Sequence, residues 1–303
     1  MRRTPLTDQP RPADRTLAEA GGGARRRERI GRWIVLTLAG ALALVFVFPL
    51  IWAMLASIKP AGEAMANPLA VFPSRISFDN FRSMAAYGIG LWGYLGNTVI
   101  VTGITIFGTV LLSTLAGYGF SRFRFPFKNV VFVLVLATLM IPFQAILVPL
   151  FLVLNAVGLT NSLVGLSLIY ITFQLPFGIF MMRNSFDSVP KEIEEAALVD
   201  GCSATRALTR VMMPIVMPGV VTVVVFTFIA SWNEFLAALI FLRDADQFTL
   251  PVLLNSVRAG QFGTVDWGAL QAGVTVTAIP AVILFLVLQR YYINGLAQGA
   301  VKG

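Results

Sequence analysis

Long apolar runs, each about 20 residues or more and nearly free of charge, recur along this chain between polar segments. They fall at about 33–56, 97–120, 129–154, 162–182, 216–242 and 268–289. A helix of that length crosses a hydrocarbon core of roughly 30 Å. Inside lipid every backbone N–H and C=O must be paired within the segment, which leaves helices as the reading for such runs. The chain is therefore predicted to be an all-α membrane protein with six transmembrane helices. Apolar residues make up 57% of the 303 positions and charged ones 13%, a balance that no soluble domain of this length needs.

Charge placement predicts the orientation. Of the 23 Lys and Arg, 18 fall in the N-terminal tail, the second loop, the fourth loop and the C-terminal tail, and five in the other three loops. The positive-inside rule then places both termini in the cytoplasm. It also accounts for the net charge of +8 without nucleic acid. Residues 1–32, rich in Arg and interrupted by Gly21-Gly22-Gly23, read as a disordered basic tail. The first run is too long for the core of a signal peptide and reads as an uncleaved span.

A single Cys202 and no histidine exclude a disulfide framework, a structural zinc site and histidine-based catalysis. No catalytic residue and no metal site are predicted. No phosphate-binding loop of the G-x-x-x-x-G-K-[ST] type occurs, so ATP-driven work would need hydrolysis on another subunit. Glu234, in Ser231-Trp232-Asn233-Glu234-Phe235, is the one acid within an apolar run. An ionisable residue there is a functional candidate by default; the equal alternative is an anchor reaching interfacial water. Asn233, Gln144 and Gln174 are weaker polar candidates for a wet translocation path, with hydrogen bonding between helices as the more ordinary role.

The longest charged interruption of the apolar second half is 190–218, PKEIEEAALVDGCSATRALTRVMMPIVMP. Pro190 suits the first position of a helix. Glu192, Glu194 and Glu195 suit the positive end of its dipole, and Ala196 and Ala197 keep it slim and helical. Asp200-Gly201 ends it, since glycine tolerates the left-handed conformation. Ser203 caps a second short helix with Arg206 and Arg210 on one face, and Pro214 is expected to stop that helix.

Glu195-Ala196-Ala197, then Asp200-Gly201, then Met213-Pro214 resemble the "EAA" coupling loop of ABC importer permeases. Cys202, Leu208 and Met213 stand where that family commonly has alanine, phenylalanine and leucine. Phe48-Pro49-Leu50-Ile51-Trp52 with Lys59-Pro60 is similar to the end of the first span in its sugar-importer members. The last residues, Gly299-Ala300-Val301-Lys302-Gly303, resemble the tail of the carbohydrate-uptake class. The resemblance implies a MetI-like ABC importer permease fold over 33–292, with a cytoplasmic coupling loop at 190–214 and a short tail at 293–303. It further implies a bacterial inner-membrane subunit paired with a second permease, two ATP-binding subunits and an extracytoplasmic sugar-binding protein. ATP would then sit on those partners and no cofactor on this chain. The cargo would be a di- or oligosaccharide or a related glycoside or polyol. Glu195 would pair with a basic residue of the ATPase, and Gly299 to Gly303 would touch the ATPases. The competing class is a self-sufficient secondary transporter or channel, but no internal repeat supports one.

Overall fold

The computed structural model describes residues 12–67 and 70–300, with side-chain surroundings for 31–67 and 70–289. The chain divides into two units, Met1–Trp52 and Ala53–Gly303. Helix α1, Pro12–Ser57, carries the first apolar run. It begins well before that run, so the stretch expected as a disordered tail over 1–32 is helical from Pro12 onward. Extending an already nucleated helix gains one hydrogen bond for each residue fixed.

Short helices α2 (Glu63–Ala66) and α3 (Asp79–Ala85) follow, then the long α4 (Gly90–Arg122). Fully buried Asn80 on α3 donates to the carbonyls of Ala56, Ser57 and Lys59, satisfying backbone groups freed where α1 ends. Next come α5 (Lys128–Ala137), α6 (Leu147–Ala156), α7 (Leu163–Asp187) and α8 (Lys191–Val199). Helices α9 (Ala204–Arg206) and α10 (Met213–Trp232) are joined by a π-helical turn, Ala207–Met212. The chain closes with α11 (Leu236–Phe241), α12 (Leu250–Arg258) and α13 (Trp267–Ala300). Among the described residues, five helices are long and apolar enough to cross a membrane, six if one bent pair counts as a span.

That bent pair differs from the single run expected at 129–154: its arms, Lys128–Met140 and Phe143–Ala156, meet at 96°. The corner is Ile141-Pro142, both extended. Proline disfavours helical geometry in the residue before it and has no N–H to offer the ladder. Pro176, by contrast, lies within an unbroken α7. The run expected at 216–242 is also interrupted, at Asn233 to Phe235 between α10 and α11.

The main pairing is α4 against α7, and it rests on small side chains. Thr98, Thr102, Thr105, Thr109, Ser113, Gly117 and Ser121 share the buried face of α4, while Phe107, Leu111 and Leu115 stay exposed. Thr98 and Thr105 donate back to the carbonyls of Tyr94 and Val101, one turn earlier. A Cβ on Gly178 of α7 would lie 2.9 Å from the Ser113 Cβ. In lipid, where apolar surface gives helices no preference for each other, such close backbone approach supplies the dispersion contact that holds them.

Candidate functional site

Helix α8 is built as the sequence suggests, with one shift at its start. Pro190 takes the N-cap position (φ −54°, ψ 138°), so Lys191 is the first helical residue. Glu192 and Glu194 occupy the first turn. At the other end Gly201 has φ +85°. Its N–H donates to the Leu198 carbonyl (3.1 Å) and that of Cys202 to the Ala197 carbonyl (3.0 Å), a Schellman stop. Ser203 then caps the next turn, its hydroxyl accepting from the Arg206 N–H.

The expected stop at Pro214 does not occur; Ala204–Trp232 is one continuous helix. The wide π turn just before Pro214 loosens the ladder that a proline would otherwise break, and Pro218 is carried inside α10. The second arm of the loop is thereby the lower end of a span.

The faces of α8 are sharply divided. Glu194 and Ala197, three apart, are both buried at 8% exposure, while Glu195 and Ala196 are exposed together with Leu198 and Val199. Ala196 and Ala197, neighbours in the sequence, therefore differ in exposure: Ala196 lies on the open side of α8 and Ala197 on the buried one. Buried Glu194 accepts from the Tyr118 hydroxyl and pairs with Arg122, whose Nε lies 2.8 Å from its Oε2. The Arg122 Nη2 also donates to the Val189 carbonyl at 2.8 Å. Beside them Ser121 donates to Asp187 (2.6 Å), which pairs with Arg183 at 3.4 Å. The Arg183 guanidinium lies 3.9 Å from the centre of the Phe132 ring. The sequence reading assigned Glu194 only to the helix dipole and Arg122 only to a basic loop. The signal was Tyr118 and Arg122 at i, i+4 on one helix, with Glu194 and Ala197 at i, i+3 on the other.

The polar candidates in the spans lie on three separate elements. Gln144 is exposed at the elbow, Gln174 is half-buried on α7, and Asn233 is exposed at the end of α10, donating to its own helix at the Ile229 carbonyl (2.9 Å). A groove of about 450 Å³ lies in the elbow, lined among others by Thr138, Ile141, Thr172, Phe173 and Pro176. Glu234 is engaged by the chain itself. Its carboxylate accepts from the N–H groups of Ala237 (2.9 Å) and Ala238 (3.2 Å) and from the Tyr170 hydroxyl. It caps α11, a role that neither sequence alternative contained. Of the C-terminal residues, Gly299 and Ala300 close α13, whereas Val301, Lys302 and Gly303 lie outside the described residues.

Residues 109–297, which include α8 and its whole support, match the family described as "Binding-protein-dependent transport system inner membrane component". The probable ABC transporter permease protein YurM of Bacillus subtilis is 37% identical over 92% of this chain and 91% of its own. The chain belongs to this ABC permease family. It is an integral inner-membrane permease subunit, not an enzyme, and the reading as a self-sufficient transporter is set aside. The permease is also 34% identical to the diacetylchitobiose uptake system permease DasC of Streptomyces coelicolor, over 92% of this chain and 100% of the other. With the trehalose/maltose permease MalG of Thermococcus litoralis it shares 30% identity over 92% and 99% of the two chains. Its MetI-like fold is that of a bacterial ABC transporter involved in alginate import, with a TM-score of 0.73 and 24% identity over 88% and 98% of the chains. A methionine ABC transporter is a more distant match in fold, at a TM-score of 0.51 and 17% identity over 69% and 94%.

Proposed function

We propose that this permease forms half of the translocation path of an ATP-driven importer for a di- or oligosaccharide, or a related glycoside or polyol. A second permease supplies the other half, two ATP-binding subunits dock on the cytoplasmic side, and an extracytoplasmic binding protein delivers the sugar. The observation that carries the coupling is the divided surface of α8: one face is anchored, and the other presents Glu195, Ala196, Leu198 and Val199 outward. That exposed side, which also carries Glu192 three residues before Glu195, combines apolar surface with two acids and suits a groove with a basic residue. Glu195 is the residue assigned to that charge, Asp200 and Gly201 set the bend, and Met213-Pro214 lead into α10. The tail from Gly299 to Gly303 is proposed as a second contact with the ATPases. Both termini and α8 are assigned to the cytoplasm from the distribution of Lys and Arg.

The sugar class is supported by relatives named for diacetylchitobiose, arabinooligosaccharides and trehalose or maltose. Uptake of labelled diacetylchitobiose, arabinotriose and maltose by cells with and without this gene tests it. Loss of uptake of one of these on deletion is the expected result. Unchanged uptake of all three, with a non-carbohydrate solute failing to enter instead, overturns the carbohydrate assignment.

A further inference from the structure

We infer that Glu194, Arg122 and Tyr118 form a rigid strut that makes α8 and the end of α4 move as one body. This rests on the proposal that α8 docks an ATPase, and it names the residues that carry the load onward. Along the chain α8 is joined to its neighbours by Pro190 on one side and Gly201 on the other, and Gly201 is in the left-handed region with open space around it. These joints alone would let α8 pivot. The strut removes that freedom at two points. Arg122 holds the Val189 carbonyl, just before α8, and the Glu194 carboxylate in its first turn. The tyrosine hydroxyl fixes the second carboxylate oxygen.

The pair is closed off from solvent, with side-chain exposures of 6% and 11% for Arg122 and Glu194. A buried ion pair is weak evidence of stabilisation, because desolvation offsets most of its attraction; fixing one geometry is its better-attested use. One turn before Arg122, Tyr118 follows directly on Gly117, where α4 lies against the backbone of α7, and Ser121 adds its bond to Asp187 at the end of α7. A push on α8 therefore enters α4 and α7 together. The π turn gives the loop a separate route into α10. Tyr118, Arg122 and Glu194 are positioning residues, acting through α8.

The test uses the full transporter, with its ATP-binding subunits, in nanodiscs. Cys202 is replaced by serine, and spin labels are placed at exposed Lys191 on α8 and exposed Arg124 beyond α4. The expected result is one narrow inter-label distance, the same without nucleotide and after trapping with ATP and vanadate. In Glu194→Gln, and in the packing-preserving double variant Glu194→Leu with Arg122→Met, the distribution should broaden and shift on trapping. The ATPase subunits should still co-purify, and Arg122→Lys with Glu194 intact should keep part of the narrow distance that Arg122→Met loses, which simple loss of folding would not do. A native distance that changes on trapping, or variant distances that stay narrow and unchanged with ATPase bound, would overturn the strut alone. Failure of the native permease to hold any ATPase would overturn the docking reading and the strut with it.

Discussion

Gly117 of α4 lies against Met182 of α7 so closely that a Cβ on the glycine would sit 2.6 Å from the methionine Cβ and 2.8 Å from the Arg183 backbone nitrogen. No side-chain rotation relieves the second contact, because it is backbone. Gly117→Ala should therefore lower stability by about 1–3 kcal/mol through overpacking. On the exposed side of the same helix, Gly103 meets nothing within 4 Å. Gly103→Ala should be neutral or stabilise by up to about 1 kcal/mol. Thermal unfolding of the two variants in detergent is the check; equal shifts would mean the close approach does not hold the pair together.

The different exposure of two neighbouring alanines gives a sharper test of docking. With Cys202 replaced by serine, Ala196→Cys should form a disulfide, under mild oxidation, with a cysteine introduced in the facing groove of the ATPase subunit. Ala197→Cys, buried at 8% exposure, should not. Cross-linking from Ala197 alone would mean that the face assigned to the partner is wrong.

Two substitutions should separate recognition from shape. Glu195→Lys reverses an exposed charge, and Gly201→Pro removes the N–H that bonds Leu198 while demanding a φ near −65° where the chain has +85°. Both should abolish uptake with normal amounts of permease in the membrane. The loss should be suppressible for Glu195→Lys alone, by reversing a basic residue on the ATPase. Full uptake in either variant would argue against the assigned surface.

Glu234 should behave as a helix cap. Glu234→Gln weakens two bonds to the first N–H groups of α11, and Tyr170→Phe removes the third partner. Each should cost about 0.5–2 kcal/mol, the range for losing a cap. Because both act on one cluster, the double variant should cost less than the sum of the singles. Strict additivity in unfolding measurements would show that the two groups do not work together.

The sequence was sufficient for what depends on composition and on local backbone preference. Uncharged runs of membrane-spanning length can be satisfied in lipid only by helices, so the fold class follows from hydropathy. The Schellman stop at Gly201 and the cap at Ser203 are local hydrogen-bonding devices, legible because they involve residues within a turn of each other. The family itself was legible from Glu195, Asp200-Gly201 and Pro214 at their spacing.

Tertiary structure alone decided which polar groups meet and where a proline breaks a helix. Pro142 turned the chain through 96° while Pro176 left α7 unbroken, and Pro214 was absorbed by a π turn that nothing in the local spacing announces. The partners of Glu194 lie 72 and 76 positions away, at Arg122 and Tyr118. The physical reason is the same in each case. A buried charge or a freed carbonyl is tolerated only where another segment brings a donor or close packing to it, and that is a property of helices already assembled.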